Sequence, residues 1–301
     1  MEEVIITGGT GLVGKALTQH LLKKGYKVCI LSRGKHNSDN PNLRFAKWNV
    51  EKGEIDKDAV INSAYIVHLA GAGVVDKKWT EKYKEEIIQS RTQSSKLLAD
   101  VINNNSNNIK SVVSASEIGW YGPDNGKVAF METDPSSPDF LGRTCKLWEE
   151  SIDEIRNIPV SKLRCGIVLS TQGGALKEFL KPIHLGVAAI LGNGKQVVSW
   201  IHIDDLCRMY IYAMENKLTG SYNAVAPYPV TNRFMVIELA KKIKGNFYTP
   251  FKVPKFILKL MMGERSTEVL KSTTVSCKKI KAANFNFTYP TLESAIPSLT
   301  K

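Results

Sequence analysis

The feature that most constrains this chain lies close to its N-terminus. In MEEVIITGGTGLVGKALTQHLLKKGYKVCILSRG, Gly8, Gly11 and Gly14 form a G-x-x-G-x-x-G pattern preceded by Thr7. Val4-Ile5-Ile6 is the short β-branched run of a strand buried on both faces. Val13, Ala16, Leu17 and Leu21 then recur at helical spacing, and Gly25 stands where a helix C-cap belongs. Val28-Cys29-Ile30-Leu31 reads as a second strand. Strand, glycine turn, helix and strand within about thirty residues is the setting in which such a loop holds a dinucleotide. A plain tight turn needs no such setting. Gly8 permits the turn, Gly11 lets backbone approach a pyrophosphate, and Gly14 lets the helix pack closely. The helix start at Leu12 and Val13 offers unpaired N–H groups and a positive dipole end to phosphate.

The second strand ends in Leu31-Ser32-Arg33-Gly34. An acidic residue there would hold a ribose 2′-hydroxyl and favour NAD, and none is present. Arg33 suits a 2′-phosphate instead, with Ser32 and Lys35 placed to assist, so the expected cofactor is NADP(H).

A length of 301 residues suffices for a nucleotide-binding domain with a smaller lobe. No apolar run approaches a membrane span. The first strand begins almost at Met1, which leaves no room for a targeting segment. Cysteines at 29, 145, 165, 207 and 277 include no C-x-x-C pair. That argues against a disulfide frame or zinc site and for a reducing, cytoplasmic location. No histidine–carboxylate spacing suggests a metal. Residues 1–150 hold 20 Lys/Arg and 19 Asp/Glu, whereas residues 151–301 hold 21 and 10. Residues 241–281 concentrate the excess, with 11 basic and 2 acidic side chains. Such a stretch suits an anionic partner or simply a solvated face. Its aromatics are too few for a base-stacking platform, so nucleic acid is not expected.

Further strands are expected at 44–48, 65–70, 112–113 leading to Ser114-Ala115-Ser116, and 160–168. Thr80 is the expected N-cap of a helix through Asn103. Leu141, Cys145, Trp148, Ile152 and Ile155 form an apolar helix stripe. Helices are expected over 175–185, 205–216 and 232–244, with a glycine and proline-rich loop over 122–139. This alternation marks an α/β fold, a Rossmann-type doubly wound parallel sheet with a smaller C-terminal α+β lobe. The expected division is residues 1–170, with 197–225 returning to that domain, and a lobe over 171–301.

Taken together, TGGTGLVG, LSRG, HLAGAGV, KWTEKYKEEIIQSR, SASEIGWYG, LWEE, RCGIVLSTQGGAL, GNGKQVVSWIHIDDL, YNAVAPYPVT, LMMGE and FTYPTLESAI cover nearly the whole chain in order. They resemble an atypical branch of the extended short-chain dehydrogenase/reductases, the NAD(P)-dependent epimerase-family proteins with a small C-terminal domain. The resemblance implies further cofactor contacts at Ala70, Gly71, Ala72, Ser114, Cys165 and Gly166. It implies an oxidoreductase or epimerase-like enzyme acting on a small polar substrate, such as a nucleotide-linked one, and a homodimer formed through the 80–103 and 141–156 helices. The alternative is a non-catalytic, NADP(H)-responsive sensor.

Such enzymes use a tyrosine acid/base with a lysine four residues later and a serine that orients the substrate. Ser116 matches the serine of S-x-x-x-x-Y-G, with one residue inserted before Tyr121-Gly122. No register gives the tyrosine–lysine pair: Phe140 or Leu141 stands at the tyrosine position, and Thr144 or Cys145 at the lysine position. Tyr121 and Glu117 are the substitute acid/base candidates. Cys145 and Cys165 read as inert buried thiols, and His68 and His202 as structural. Asp204 and Asp205 read as helix-start residues. Trp79, Trp120, Tyr121 and Trp200 line a cavity or fill the core.

Overall fold

The structure is a computed structural model that describes every residue except Lys35, Lys127 and Lys301. The assistance expected of Lys35 at the cofactor lies outside the described residues.

β1 (Glu3–Thr7) leads through the glycine turn to α1 (Leu12–Lys23) and β2 (Lys27–Ser32). β3 (Leu43–Asn49), a two-residue β4 (Glu54–Ile55) and α2 (Lys57–Ile61) follow. The chain then returns past β1 to form β5 (Tyr65–His68), α3 (Glu81–Asn103), β6 (Ser111–Glu117), α4 (Phe140–Ile152) and β7 (Val160–Cys165). Thr80 caps α3 by accepting from the Tyr83 N–H. β4 and α2 were not legible, being too short to show a period.

The second half starts with β8 (Ile167–Ser170), β9 (Gly173–Gly174) and α5 (Ala175–His184). β10 (Val187–Leu191), β11 (Val197–Val198), β12 (Trp200–His202) and α6 (Ile203–Glu215) come next. β13 (Gly220–Ala224), β14 (Val230–Thr231), α7 (Asn232–Lys244) and β15 (Thr249–Val253) follow. α8 (Lys255–Met262), α9 (Ser266–Leu270), α10 (Lys278–Ala282) and α11 (Leu292–Leu299) complete the chain.

The main sheet has eight strands in the order β13-β7-β6-β5-β1-β2-β3-β4, parallel except at β4. Its two faces bury separate cores. Val4 and Ile6 of β1 pack with Leu17 and Leu21 of α1 and with α6. Ile5 faces the opposite layer, where α2, α3 and α4 pack. That is why β1 is apolar at successive positions: a strand covered on both sides has no solvent face. A third core, including Leu176, Trp200, Met235 and Leu292, lies under the smaller lobe. The fold is thus a Rossmann-type α/β sheet with a smaller C-terminal region.

One expected strand is corrected. Residues 160–168 are not continuous; the chain breaks at Gly166, leaves the main sheet and enters a second one as β8, beside β12. A Cβ on Gly166 would lie 2.5 Å from the Ser199 carbonyl oxygen, so this crossing point has no room for a side chain. The strand expected over 65–70 ends at His68, where the backbone turns beneath the glycine loop.

Candidate functional site

The chain runs outward from β1 to β2 and β3, then comes back to the other side of β1 as β5. The strand order therefore reverses between β1 and β5. A crevice opens beyond the C-terminal ends of strands at such a reversal, where open α/β sheets bind ligands. The glycine turn forms one bank and the Leu69–Ala72 segment the other.

The glycines are required by contact distance. Gly8 has φ +67, and a Cβ there would lie 2.7 Å from the Leu69 carbonyl oxygen. A Cβ on Gly14 would lie 2.4 Å from the Gly8 carbonyl oxygen. Helix α1 thus sits directly on the turn. Gly11 is its N-cap and provides no side-chain acceptor to the first turn at Leu12 and Val13. The turn has no room for a side chain at Gly8 or Gly14 and is closed by a helix N-terminus with no side-chain cap, an arrangement that fits a pyrophosphate.

Thr7 joins the two banks. Its Oγ1 accepts from the Leu69 and Ala70 N–H groups, both at 3.1 Å, and lies 2.7 Å from His68 Nδ1. With its acceptor side engaged, the hydroxyl donates to Nδ1, which leaves the imidazole proton on Nε2, facing Ser95 and Ser94. Burial depresses the His68 pKa to about 3, so the ring is neutral. The structural reading of His68 holds. Arg33 is exposed just past β2, and Ser32 Oγ accepts from the Gly34 N–H at 3.3 Å. Gly71 lies over Arg91, whose Nη1 donates to the Ala72 carbonyl at 2.9 Å. Ser114 is buried within β6, its hydroxyl donating to the Ala115 carbonyl.

The structure separates the three catalytic candidates, Ser116, Tyr121 and Glu117. Ser116 is buried and its Oγ donates to Glu149 Oε1 at 2.7 Å. Glu149 also forms a two-point ion pair with Arg164, at 2.8 and 2.9 Å, and accepts from Ser221. Tyr121 belongs to the same network: its hydroxyl donates to Asn223 Oδ1 at 2.6 Å and accepts from Arg164 Nη1 at 2.9 Å. It stacks on Phe130, and burial pushes its pKa up to about 12 against the pull of Arg164. Both hydroxyls are engaged by interior partners in this network. Glu117 is half-buried at the end of β6 and is held by Arg91 Nη2 at 2.8 Å. On α4, Leu141 and Cys145 are buried, and Cys145 Sγ lies 3.6 Å from the Glu117 carbonyl.

Cys165 is half-buried beside Tyr210, and burial raises its thiol to about 12, which makes it inert. Gly166 donates its N–H to the Ala224 carbonyl. His202 caps α6, accepting from the Asp204 N–H, and its Nε2 contacts Ser298. Asp204 and Asp205 occupy the first turn of α6 as expected. Trp200 is core, whereas Trp79 packs edge-on against Phe140 and Trp120 stacks under Arg164 at 3.7 Å.

Arg91, Glu149 and Arg164 were missed at the sequence level. Arg164 left a signal, because a cation inside an apolar strand requires a buried partner. The β8–β9 hairpin was also missed: Gly174 approaches the Leu12 side chain, which closes the hairpin over the start of α1. Among the described residues no group of three His, Cys, Asp or Glu could hold a metal, and no helix is long and apolar enough to cross a membrane.

Residues 4–225 match the model of the NAD dependent epimerase/dehydratase family, and residues 253–299 match a domain of unknown function, DUF1731. The epimerase family protein YfhF of Bacillus subtilis is 31% identical over 98% of this chain and 97% of its own. The crystal structure of human epimerase family protein SDR39U1 (isoform 2) with NADPH is 26% identical, with a TM-score of 0.85 over 99% of both chains. A nucleoside-diphosphate sugar epimerase from Corynebacterium glutamicum is 29% identical with a TM-score of 0.77, over 99% of this chain and 58% of its own.

Proposed function

The chain belongs to the NAD dependent epimerase/dehydratase family, and from that premise we propose that it binds NADP(H) and acts as an oxidoreductase or epimerase-like enzyme on a small polar substrate. The observation that carries the choice of cofactor is Arg33, exposed at the end of β2 with no carboxylate beside it on that strand end. Its guanidinium makes no hydrogen bond or ion pair among the described residues, so it is available for a 2′-phosphate. The human relative, whose structure carries NADPH, supports the same choice. The backbone at Gly8–Val13 would hold the pyrophosphate, and the Ala70–Ala72 segment would flank it. When bound, a nicotinamide supplies or accepts a hydride, and the protein must then manage the proton on the neighbouring oxygen.

Calorimetry with NADPH and NADH tests this reading. NADPH should bind the tighter, and Arg33→Ala should weaken NADPH by about tenfold or more while sparing NADH, the loss of one charge-assisted contact. Tighter binding of NADH, or no binding of either, overturns it. The sensor reading draws on a specific observation: α4 carries Phe140, Leu141, Thr144 and Cys145 where a tyrosine–lysine pair would stand. A sensor binds NADPH without consuming it in the presence of carbonyl compounds.

A further inference from the structure

We propose that Glu268, on α9 of the C-terminal region, is the proton donor and acceptor of this site, with Lys271 as its positioning residue. The proposal rests on the nicotinamide-dependent reading above and names the group that α4 does not supply.

The geometry comes from how α9 is anchored. Just before it, Glu264 pairs with Lys84 near the start of α3 at 2.8 Å. Arg265 Nη1 donates to the Val75 carbonyl, in the segment after β5, at 2.5 Å. Just after it, Lys271 Nζ stands 3.9 Å from Oδ2 of Asp139, the N-cap of α4. Thr273 Oγ1 donates to the Gly122 carbonyl at 2.8 Å. Helix α9 is therefore tied at one end to the segment after β5 and at the other to the start of α4. The start of α4 in turn meets the end of β6, where Cys145 Sγ lies 3.6 Å from the Glu117 carbonyl and Arg91 holds the Glu117 carboxylate. Phe140, at the position of the missing tyrosine, opens α4 beside the Asp139 anchor.

The side chains then fit the task. Glu268 retains 23% exposure, enough to meet a ligand. Lys271 is only 10% exposed, and its Nζ lies 2.7 Å from Glu268 Oε2, an ion pair. A nearly buried ammonium set between the Glu268 and Asp139 carboxylates holds the Glu268 side chain in one place beside the start of α4. The charges that act on Glu268 are Lys271, its ion-pair partner, and the carboxylates of Asp139 at the start of α4 and Glu117 at the end of β6, the last paired with Arg91. Burial raises the Glu268 carboxyl above its ordinary value, Asp139 and Glu117 add to the rise, and Lys271 opposes it. A carboxyl shifted toward neutrality is suited to general acid chemistry.

The proton step balances within these groups. As hydride arrives at a carbonyl carbon, the O–H bond of Glu268 breaks and one forms on the substrate oxygen. The carboxylate left behind lies against Lys271, and solvent restores its proton. In the opposite direction the carboxylate takes the hydroxyl proton.

The test uses the full chain, NADPH, and para-nitrobenzaldehyde and methylglyoxal as carbonyl probes. Glu268→Gln should still fold cooperatively, at a somewhat lower melting temperature because Lys271 loses its partner, and keep its NADPH affinity while kcat falls about 100-fold or more. Its pH profile should lose the limb on which rate declines with rising pH. Lys271→Met should keep that limb and move it to higher pH, a shift that a merely structural lysine would not cause. Infrared titration of the wild type should show a carboxyl band that persists above the ordinary glutamate range and is absent from Glu268→Gln. Wild-type turnover in Glu268→Gln, no such band, or a wild type that binds NADPH and reduces neither probe each overturn the assignment and leave the cofactor reading standing. Absence of NADPH binding overturns the cofactor reading and this one with it.

Discussion

A Cβ on Gly14 would meet the Gly8 carbonyl oxygen at 2.4 Å and the Gly9 Cα at 2.5 Å. Both obstacles are backbone, so no rotamer change relieves them, and α1 itself must move away from the turn. Gly14→Ala is expected to cost about 1–3 kcal/mol in urea denaturation, the usual range for overpacking, and to weaken NADPH binding as well. His68 offers a second residue-level test, this time of pH. Its folded pKa is about 3, against an ordinary value of 6.5. The unfolded chain therefore binds the proton first as pH falls. Stability from this group is complete above pH 6.5 and declines below it by about 1.4 kcal/mol per pH unit until the folded pKa is reached. Urea denaturation at pH 7 and pH 5 should show that decline in the wild type. His68→Gln, which has nothing to titrate, should show a shallower one.

At the scale of elements, β7 and α4 are coupled through charge. Arg164 of β7 and Glu149 of α4 are both buried, and their pair also satisfies Ser116, Ser221 and the Tyr121 hydroxyl. Removing one partner leaves the other charge uncompensated in the interior. Glu149→Ala is expected to cost about 3–5 kcal/mol, read as a lower denaturation midpoint. Exposed positions of α8 set the contrast: Leu260 is 82% exposed, and Leu260→Gln should change stability by less than about 0.5 kcal/mol. These two elements also show where sequence reading reaches and where it stops. The strand at Val4–Ile6, the Thr80 cap and the α4 stripe as far as Ile152 were legible because each is a local pattern of adjacent side chains; Ile155, expected on the same stripe, lies past the end of the helix. The break at Gly166 was not, because the carbonyl that forbids a side chain there belongs to Ser199 in another sheet. Tyr121 looked like a loop residue open to ligand. Its burial depends on Asn223 and Arg164, which only the pairing of β13 with β7 brings beside it. Likewise, Glu268 and Lys271 lay in a stretch remarkable only for its positive charge.

At the scale of the molecule, the C-terminal region is woven into the main core. Val275, Cys277, Ile280 and Phe285 pack in the same cluster as Val4, Leu17 and Met209. The backbone of this return passage is also paired: Phe130 donates to the Thr274 carbonyl, and Ser276 donates to that of Phe130. Asn223 Nδ2 reaches the Ser276 carbonyl, and Asp205, wholly buried at the start of α6, accepts from the Thr288 and Tyr289 N–H groups. A chain ending at residue 225 would expose apolar surface on α6 and β13 and strip the Asp205 carboxylate of both backbone donors, leaving Arg208 as its partner among the described residues. An uncovered patch of that kind favours aggregation, and an underpaired buried charge costs several kcal/mol. We therefore expect the 1–225 fragment to fail to fold to a soluble monomer, although it contains the whole dinucleotide cradle. The intact chain should unfold in one cooperative transition, with calorimetric and van't Hoff enthalpies in agreement. Two resolved transitions, or a folded 1–225 fragment that binds NADPH with full affinity, would show the C-terminal region to be a separable attachment. It would then lose its standing as a source of the proton donor Glu268, because a lobe that moves independently cannot hold that carboxyl in place beside the start of α4.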